Sequence, residues 1–195
     1  MTEIVPAVAA QIERAAALLG QGQVVAFPTE SSYGLAVDAS DCRAVDRLLS
    51  VKGRAARQKI SVLAADQRML AGLAPSIPAA ARRLIDLHWP GPLTLVLPAG
   101  AGLPGALVNE RGNIGVRISS DPVAGRLVEL LGRPITATSA NRSGEPAATR
   151  AADAALPGVK LVLDDGSRCE SASTVVEIGF DGSLRVLRPG PIAVR

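Results

Sequence analysis

The stretch VVAFPTESSYGLAVDASDCRAVDRLLSVKGR, running from Val24 to Arg54, decides the fold. Val24, Val25, Ala26 and Phe27 make an unbroken apolar run, the pattern of a strand buried on both faces. Pro28 ends it, because proline has no N–H to give a ladder. Polar side chains then crowd the strand end, where Thr29, Glu30, Ser31, Ser32 and Tyr33 supply hydroxyls and one carboxylate. In open α/β sheets this is the usual place for a ligand. The next run puts Val45, Leu48 and Leu49 on one helical face, with Ser40 or Asp41 as its cap. Just past that helix, on a turn beginning at Gly53, stand Lys52 and Arg54. Two readings are open for this basic pair: cations meeting the negative end of a helix dipole, or cations facing an anionic ligand.

Working outward, Val8, Ile12, Ala15 or Ala16, and Leu19 recur at helical spacing before Gly20 and Gly22 stop the helix. Leu35 to Val37 extends the sheet, and Ile60 to Ala64 reads as a short buried strand. A short helix spans Asp66 to Leu73 and a clearer one opens at Pro78. The turn His88-Trp89-Pro90-Gly91-Pro92 leads into the strand Leu93 to Leu97. A glycine-rich loop, Ala99 to Gly112, ends in the strand Ile114 to Ile118. Asp121-Pro122 starts a helix that keeps Val123, Leu127 and Leu130 on one side. Pro134 to Thr138 is a strand, Ser139 to Thr149 a polar loop, and Lys160 to Leu163, Thr174 to Ile178 and Leu184 to Leu187 are strands. Strands and helices alternate without repeat or linker, which predicts one α/β domain over residues 1–195 with a mixed sheet.

Composition narrows the classes. The chain has 195 residues, 48% of them hydrophobic but only 2% aromatic, so its core is built from Ala, Val, Leu and Ile. A formal charge of +3 does not by itself imply nucleic-acid binding. Cys42 and Cys169 lie far apart with no metal-binding spacing, which argues for a reducing compartment rather than a disulfide framework. The acidic start MTEIVP is unlike a signal peptide, and no apolar run is long enough to span a bilayer. A soluble, cytoplasmic protein with no membrane partner is expected.

Several chemistries fail at once. With one histidine, His88, there is neither a histidine-based metal site nor a two-histidine mechanism, and there is no GxxxxGK(S/T) loop. Gly100, Gly102 and Gly105 spell GxGxxG, but Pro104 sits inside it and no long helix follows, so it reads as a flexible loop. Arg117 is more informative. It lies within the apolar strand NIGVRIS, and a guanidinium there needs an anionic partner. That partner is either a carboxylate of the chain, such as Asp121, or the carboxylate of a ligand gripped by the two-pronged guanidinium. Ser139 and Asn141, in TSANRSG after a short strand, suit an anion nest as well as an ordinary turn.

Taken together, PTESSYGL, KGR, WPGPLTLVL, GVRI, SANRSG, STVV and LRPG occur in an order that resembles the YrdC/TsaC family, the threonylcarbamoyl-AMP synthases of tRNA modification. The likeness covers Gly22 to Gly190. It implies a YrdC/RibB-like α/β fold, three-layered, with a twisted mixed sheet flanked by helices. It further implies that Lys52, Arg54, Ser139, Asn141 and Arg188 bind ATP. Thr29, Ser31, Tyr33, Arg117 and Ser173 are expected to hold threonine and its carbamate, with Arg117 on the carboxylate. Departures are visible too. Ala55, Gln58 and Lys59 stand in a loop where the family carries prolines, Ser119 replaces a proline, Ser31 a threonine and Ala147 a serine.

The resemblance implies a nucleotidyltransferase that makes L-threonylcarbamoyladenylate and pyrophosphate from L-threonine, bicarbonate and ATP with Mg²⁺. No certain catalytic base is needed, since a carbamate is already an anionic nucleophile; charge stabilisation by Lys52 and Arg54 suffices. The product would pass to a tRNA-modifying threonylcarbamoyl transferase complex as the first step of N6-threonylcarbamoyladenosine formation. Two alternatives stand beside it. Arg43, Arg47, Lys52, Arg54, Arg57 and Lys59 lie close in sequence, as expected of a double-stranded RNA-binding module making tRNA or other backbone contacts. The departures also fit a degenerate paralogue that binds ATP without product. The further C-terminal domain of some family members is not expected here.

Overall fold

Two devices fix where the helices begin and end. In α2, Cys42–Lys52, Asp41 is the cap: its carboxylate accepts from the backbone N–H of Arg43 and Ala44, and Gly53 closes the helix in the left-handed conformation at φ 63°. In α5, Pro122–Leu131, Asp121 accepts from Val123 and Ala124, proline stands in the first turn, and Gly132 is left-handed at φ 67°. Helix α1, Ala9–Gly20, has no side-chain cap and owes its place to the buried stripe Ile12, Ala15, Ala16 and Leu19. Helices α3, Gln67–Leu73, and α4, Ala79–His88, complete the set among the described residues. The computed structural model describes residues 1–53, 60–169, 171–179 and 181–194.

The strands are β1 (Glu3–Pro6), β2 (Val24–Pro28), β3 (Tyr33–Ala36), β4 (Ser61–Leu63), β5 (Leu93–Pro98), β6 (Asn113–Arg117), β7 (Ile135–Ser139), β8 (Val159–Asp164), β9 (Thr174–Ile178) and β10 (Leu184–Arg188). They form one mixed sheet in the order β1-β8-β2-β3-β7-β4-β6-β5-β9-β10. Strand β7 joins the two halves. It pairs antiparallel with β3 through Ser139 and Thr138 and with β4 through Ala137, Thr136 and Ile135.

Strand β2 shows why the sheet must be covered on both faces. All five of its residues are buried. Val24 and Ala26 pack with Val45 and Leu48 of α2, while Val25 and Phe27 pack with Ile12 and Leu19 of α1 and Leu127 of α5. Helices α1 and α5 lie against one face, and α2, α3 and α4 supply apolar residues to the other. This is the expected three-layer α/β architecture. Two strand assignments differ from the sequence reading. Strand β1 went unpredicted because only Val5 of its four residues is buried, leaving too short a pattern. Strand β3 begins at Tyr33, not Leu35, because the Thr29–Ser32 turn folds β2 straight back on itself in a hairpin, pairing Pro28 with Tyr33.

Candidate active site

The hairpin turn is held by Thr29. Its hydroxyl donates to the Ser32 carbonyl at 2.7 Å and accepts from the N–H of Ser31 and Ser32, each at 3.4 Å, while its own N–H reaches the Ser32 carbonyl. This presents Ser31 and Ser32 at the mouth of a cavity of about 500 Å³. The ends of β3, β4, β7 and β9, the C-terminus of α2 and the loop after Ser139 enclose it. Polar groups dominate its wall, as a charged ligand requires.

At one end lies Lys52, the last residue of α2 and only 2% exposed. Its ammonium donates to the Ser139 carbonyl at 2.6 Å, the Asn141 carbonyl at 3.1 Å and Asn141 Oδ1 at 3.2 Å. Ser139 Oγ donates to the same Oδ1, and the Asn141 amide donates to the Glu145 carbonyl. The Lys52 carbonyl accepts from Ser143 N–H at 3.2 Å. The end of α2 and the 139–145 loop are therefore one unit, built around a buried cation.

At the other end are two guanidiniums. Arg188 donates from Nε to the Ser173 carbonyl at 3.0 Å and from Nη2 to Ser173 Oγ at 2.9 Å, and that hydroxyl also meets Thr94 Oγ1 at 3.1 Å. Burial holds Arg188 below its ordinary value, and the nearby positive charge of Arg117 adds to the effect. Arg117 ends β6 and is itself lowered by burial, against the pull of Glu30 and Asp121. Its partner is Glu30, with Nη1 3.2 Å from Oε2; Asp121, the carboxylate proposed from sequence, instead caps α5 and pairs with Arg168. Ser119 and Ser120, just after β6, bind the other Glu30 oxygen. Two cations line this end, and Glu30, the carboxylate paired with Arg117, does not line the cavity, which leaves the end suited to an incoming anion.

Of the ten residues selected from sequence, Thr29, Ser31, Lys52, Arg117, Ser139, Asn141, Ser173 and Arg188 all line this cavity. Arg54 lies outside the described residues, as do Ala55, Arg57, Gln58 and Lys59. Tyr33 is elsewhere. Side chains alternate along β3, and Tyr33 and Leu35 turn into the apolar layer beneath α2; Gly34, between them, borders the cavity. The Tyr33 phenol donates to the Gly166 carbonyl at 2.7 Å and lies 3.2 Å from Asp164 Oδ1, and burial raises it above its ordinary value. Sequence reasoning passed over Ser61, Thr94, Thr138, Ser143 and Glu145, which also line the cavity. Thr94 had a signal: a polar residue, 3% exposed, in an otherwise apolar strand. Ala147, the departure from serine, is on the wall as well.

Residues 17–190 match the model of a protein family described as telomere recombination, Sua5/YciO/YrdC. The chain belongs to the Sua5/YciO/YrdC family. Among relatives of this family, a threonylcarbamoyl-AMP synthase of Pyrococcus abyssi is 38% identical over 92% of this chain and 54% of its own length. Another threonylcarbamoyl-AMP synthase, of Halorhodospira halophila, is 41% identical over 73% of this chain and 75% of its own. The chain thus spans about half of the first and three quarters of the second. Among solved structures, P. abyssi Sua5 complexed with L-threonine superposes with a TM-score of 0.88 at 35% identity, covering 97% of this chain and 57% of that one. E. coli YciO, at 24% identity and a TM-score of 0.85, shares the fold over 98% of this chain and 96% of its own.

Proposed function

We propose that this chain is a threonylcarbamoyl-AMP synthase, converting L-threonine, bicarbonate and ATP to L-threonylcarbamoyladenylate, pyrophosphate and water. The observation that carries this reading is the bipolar cavity: a pair of guanidiniums, Arg117 and Arg188, at one end and the loop built on Lys52, Ser139 and Asn141 at the other. A small carboxylate ligand suits Arg117 at the first end, and nucleotide phosphates reaching from the second end toward Arg188 suit the rest. The synthase names of the relatives and the threonine complex of P. abyssi Sua5 support the same assignment.

The chemistry asks little of a protein base. The threonine amine adds to bicarbonate carbon with loss of water, giving a carbamate. One carbamate oxygen then attacks the α-phosphorus of ATP while the bond from that phosphorus to the bridging oxygen breaks, and pyrophosphate leaves with the electron pair. Arg117, in this reading, grips the threonine carboxylate; Ser31 and Ser173 offer hydroxyls to the amino acid and its carbamate, and Thr29 holds the turn that presents Ser31. Lys52 with Ser139 and Asn141, and Arg188 from the opposite wall, orient the phosphates and offset charge as it builds on the leaving group. Arg54 is assigned to the same phosphates. Mg²⁺ enters with ATP as part of the substrate and shares the phosphate charge. Among the described residues no cluster of three or more acidic, histidine or cysteine side chains forms a dedicated metal cage, which fits an ion held mainly by phosphate oxygens and water.

The adenylate is a labile mixed anhydride, so it is proposed to pass to a tRNA-modifying threonylcarbamoyl transferase in the cytoplasm. No helix of the described residues is long and apolar enough to cross a membrane. The test is incorporation of labelled bicarbonate into an AMP adduct with ATP, Mg²⁺ and threonine, omitting each in turn. Product that requires all of them is the expected result. ATP binding without product would return the chain to the degenerate paralogue, and salt-sensitive RNA binding with no ATP dependence would favour the RNA module.

A further inference from the structure

Glu30 is a buried carboxylate inside the hairpin turn with very uneven surroundings. Its Oε1 accepts from Ser119 Oγ at 2.9 Å, Ser120 N–H at 2.7 Å and Ser120 Oγ at 3.0 Å. Its Oε2 accepts no hydrogen bond from the described residues and faces Nη1 of Arg117 at 3.2 Å. Both side chains are nearly sealed, at 9% and 7% exposure. One oxygen is therefore saturated by a turn, and the other is left to address a guanidinium on the cavity wall. Glu30 does not itself line the cavity, whereas Arg117 does.

We propose that Glu30 is a positioning residue, clasped by Ser119 and Ser120, that fixes the Arg117 guanidinium in the orientation needed to receive a ligand carboxylate. This rests on the synthase reading for the identity of that carboxylate, but not for the positioning itself. A guanidinium at the end of a long side chain is useful in two-pronged recognition only if its plane is set beforehand. Here the Glu30 carboxylate, off the cavity wall, holds Nη1 by charge at 3.2 Å, and the rigid fork carries that orientation to the remaining N–H groups. Ser119 gives the arrangement its anchor: a proline at that position has no hydroxyl to offer Oε1. Burial alone would raise the Glu30 carboxyl, but Arg117 and the hydrogen bonds from Ser120 and Ser119 bring it below its ordinary value, so it is charged as the clasp requires.

Glu30→Gln is the discriminating variant, because an amide cannot serve both sides. If its oxygen keeps the three donors, its NH₂ meets the Arg117 NH₂ donor to donor; if it flips, the clasp is lost. The side-chain guanidinium resonances of Arg117, assigned against the spectrum of Arg117→Lys, should be distinct in the wild type and collapse to averaged signals in Glu30→Gln. Calorimetry should show threonine affinity weakened at least about tenfold, with ATP changed by less than about twofold. Ser119→Ala/Ser120→Ala, which keeps the charge pair and guards against a folding failure, should weaken threonine by about threefold. Arg117 resonances unaltered by Glu30→Gln, or equal loss of threonine and ATP in the serine variant, would overturn the proposal. Arg117 released in Glu30→Gln by a protein whose wild type binds no threonine would uphold the positioning and reject threonine as the ligand.

Discussion

Replacing Arg117 by methionine tests the electrostatics of the site most directly, since it keeps the apolar stem and removes only the charge. In the folded protein the Arg117 and Glu30 charges approach to 3.2 Å between heavy atoms with both side chains buried. At an effective dielectric of about 20, such a pair attracts by about 5 kcal/mol. Part of that is returned, because methionine no longer bears the burial cost of the guanidinium, and Glu30 retains its three donors from Ser119 and Ser120. A net loss of about 2–4 kcal/mol is expected near neutral pH, or about 5–15 °C in Tm for a chain of this size. The pH dependence supplies the sharper check. Glu30 lies below its ordinary value of 4.5 in the wild type, so its contribution to stability is present above the unfolded-state value and fades as pH falls through the lower folded one. Without Arg117 the carboxyl loses the largest influence that lowers it and rises relative to the wild type, so the variant takes up its proton at a higher pH. The Tm gap should therefore narrow between pH 7 and pH 4. Calorimetric melts of both proteins over that range would measure it. A gap that stays constant would refute the claim that Glu30 and Arg117 are electrostatically coupled.

Asn141→Ala should weaken ATP binding by about tenfold while leaving threonine within about twofold, because Asn141 joins Lys52 and Ser139 at the end of the cavity assigned to phosphates; calorimetry with each ligand separates the two. Gly190→Ala should cut synthase turnover sharply. A Cβ there would collide with the Ala172 carbonyl and with the Thr174 backbone nitrogen, forcing apart the segment that seats Ser173 against Arg188. Tyr33→Phe should cost about 1 kcal/mol of stability in denaturant melts and leave threonine affinity unchanged, since the phenol bonds Gly166 and does not line the cavity. A marked loss of threonine binding in that variant would reinstate Tyr33 as a ligand residue.

Much of this was legible in the chain itself, for identifiable reasons. Asp41, Gly53, Asp121, Pro122 and Gly132 mark helix ends by local chemistry that tertiary structure has no cause to override. The apolar run of β2 could only be a strand covered on both faces. Arg117 announced itself as a cation needing an anion, and the Ser139–Asn141 phrase as a polar loop after a strand. What could not be read was pairing across the chain. The sequence leaves the partner of Arg117 open, Asp121 or another carboxylate, and its being Glu30 depends on β6 ending beside the β2–β3 turn, a matter of strand order. Tyr33 belongs to the PTESSYGL phrase in sequence, yet a hairpin turn closed by the Thr29 hydroxyl starts β3 at that residue and turns its phenol toward Gly166, off the cavity wall. Strand β1 was missed because a lone buried valine carries no period.

The place of β8 in the sheet also sets a schedule for synthesis. Strand β8 lies between β1 and β2 and pairs parallel with each, so these two early strands meet only through residues 159–164. At roughly 5–20 residues per second, a ribosome needs about 7–27 s after finishing β2 to deliver them. Throughout that interval β2 carries an open edge of Val, Val, Ala and Phe with only its hairpin partner β3 to occupy the other side. An apolar edge left unpaired for that long is an adhesive surface, and sheltering it is a service a chaperone can give the nascent chain.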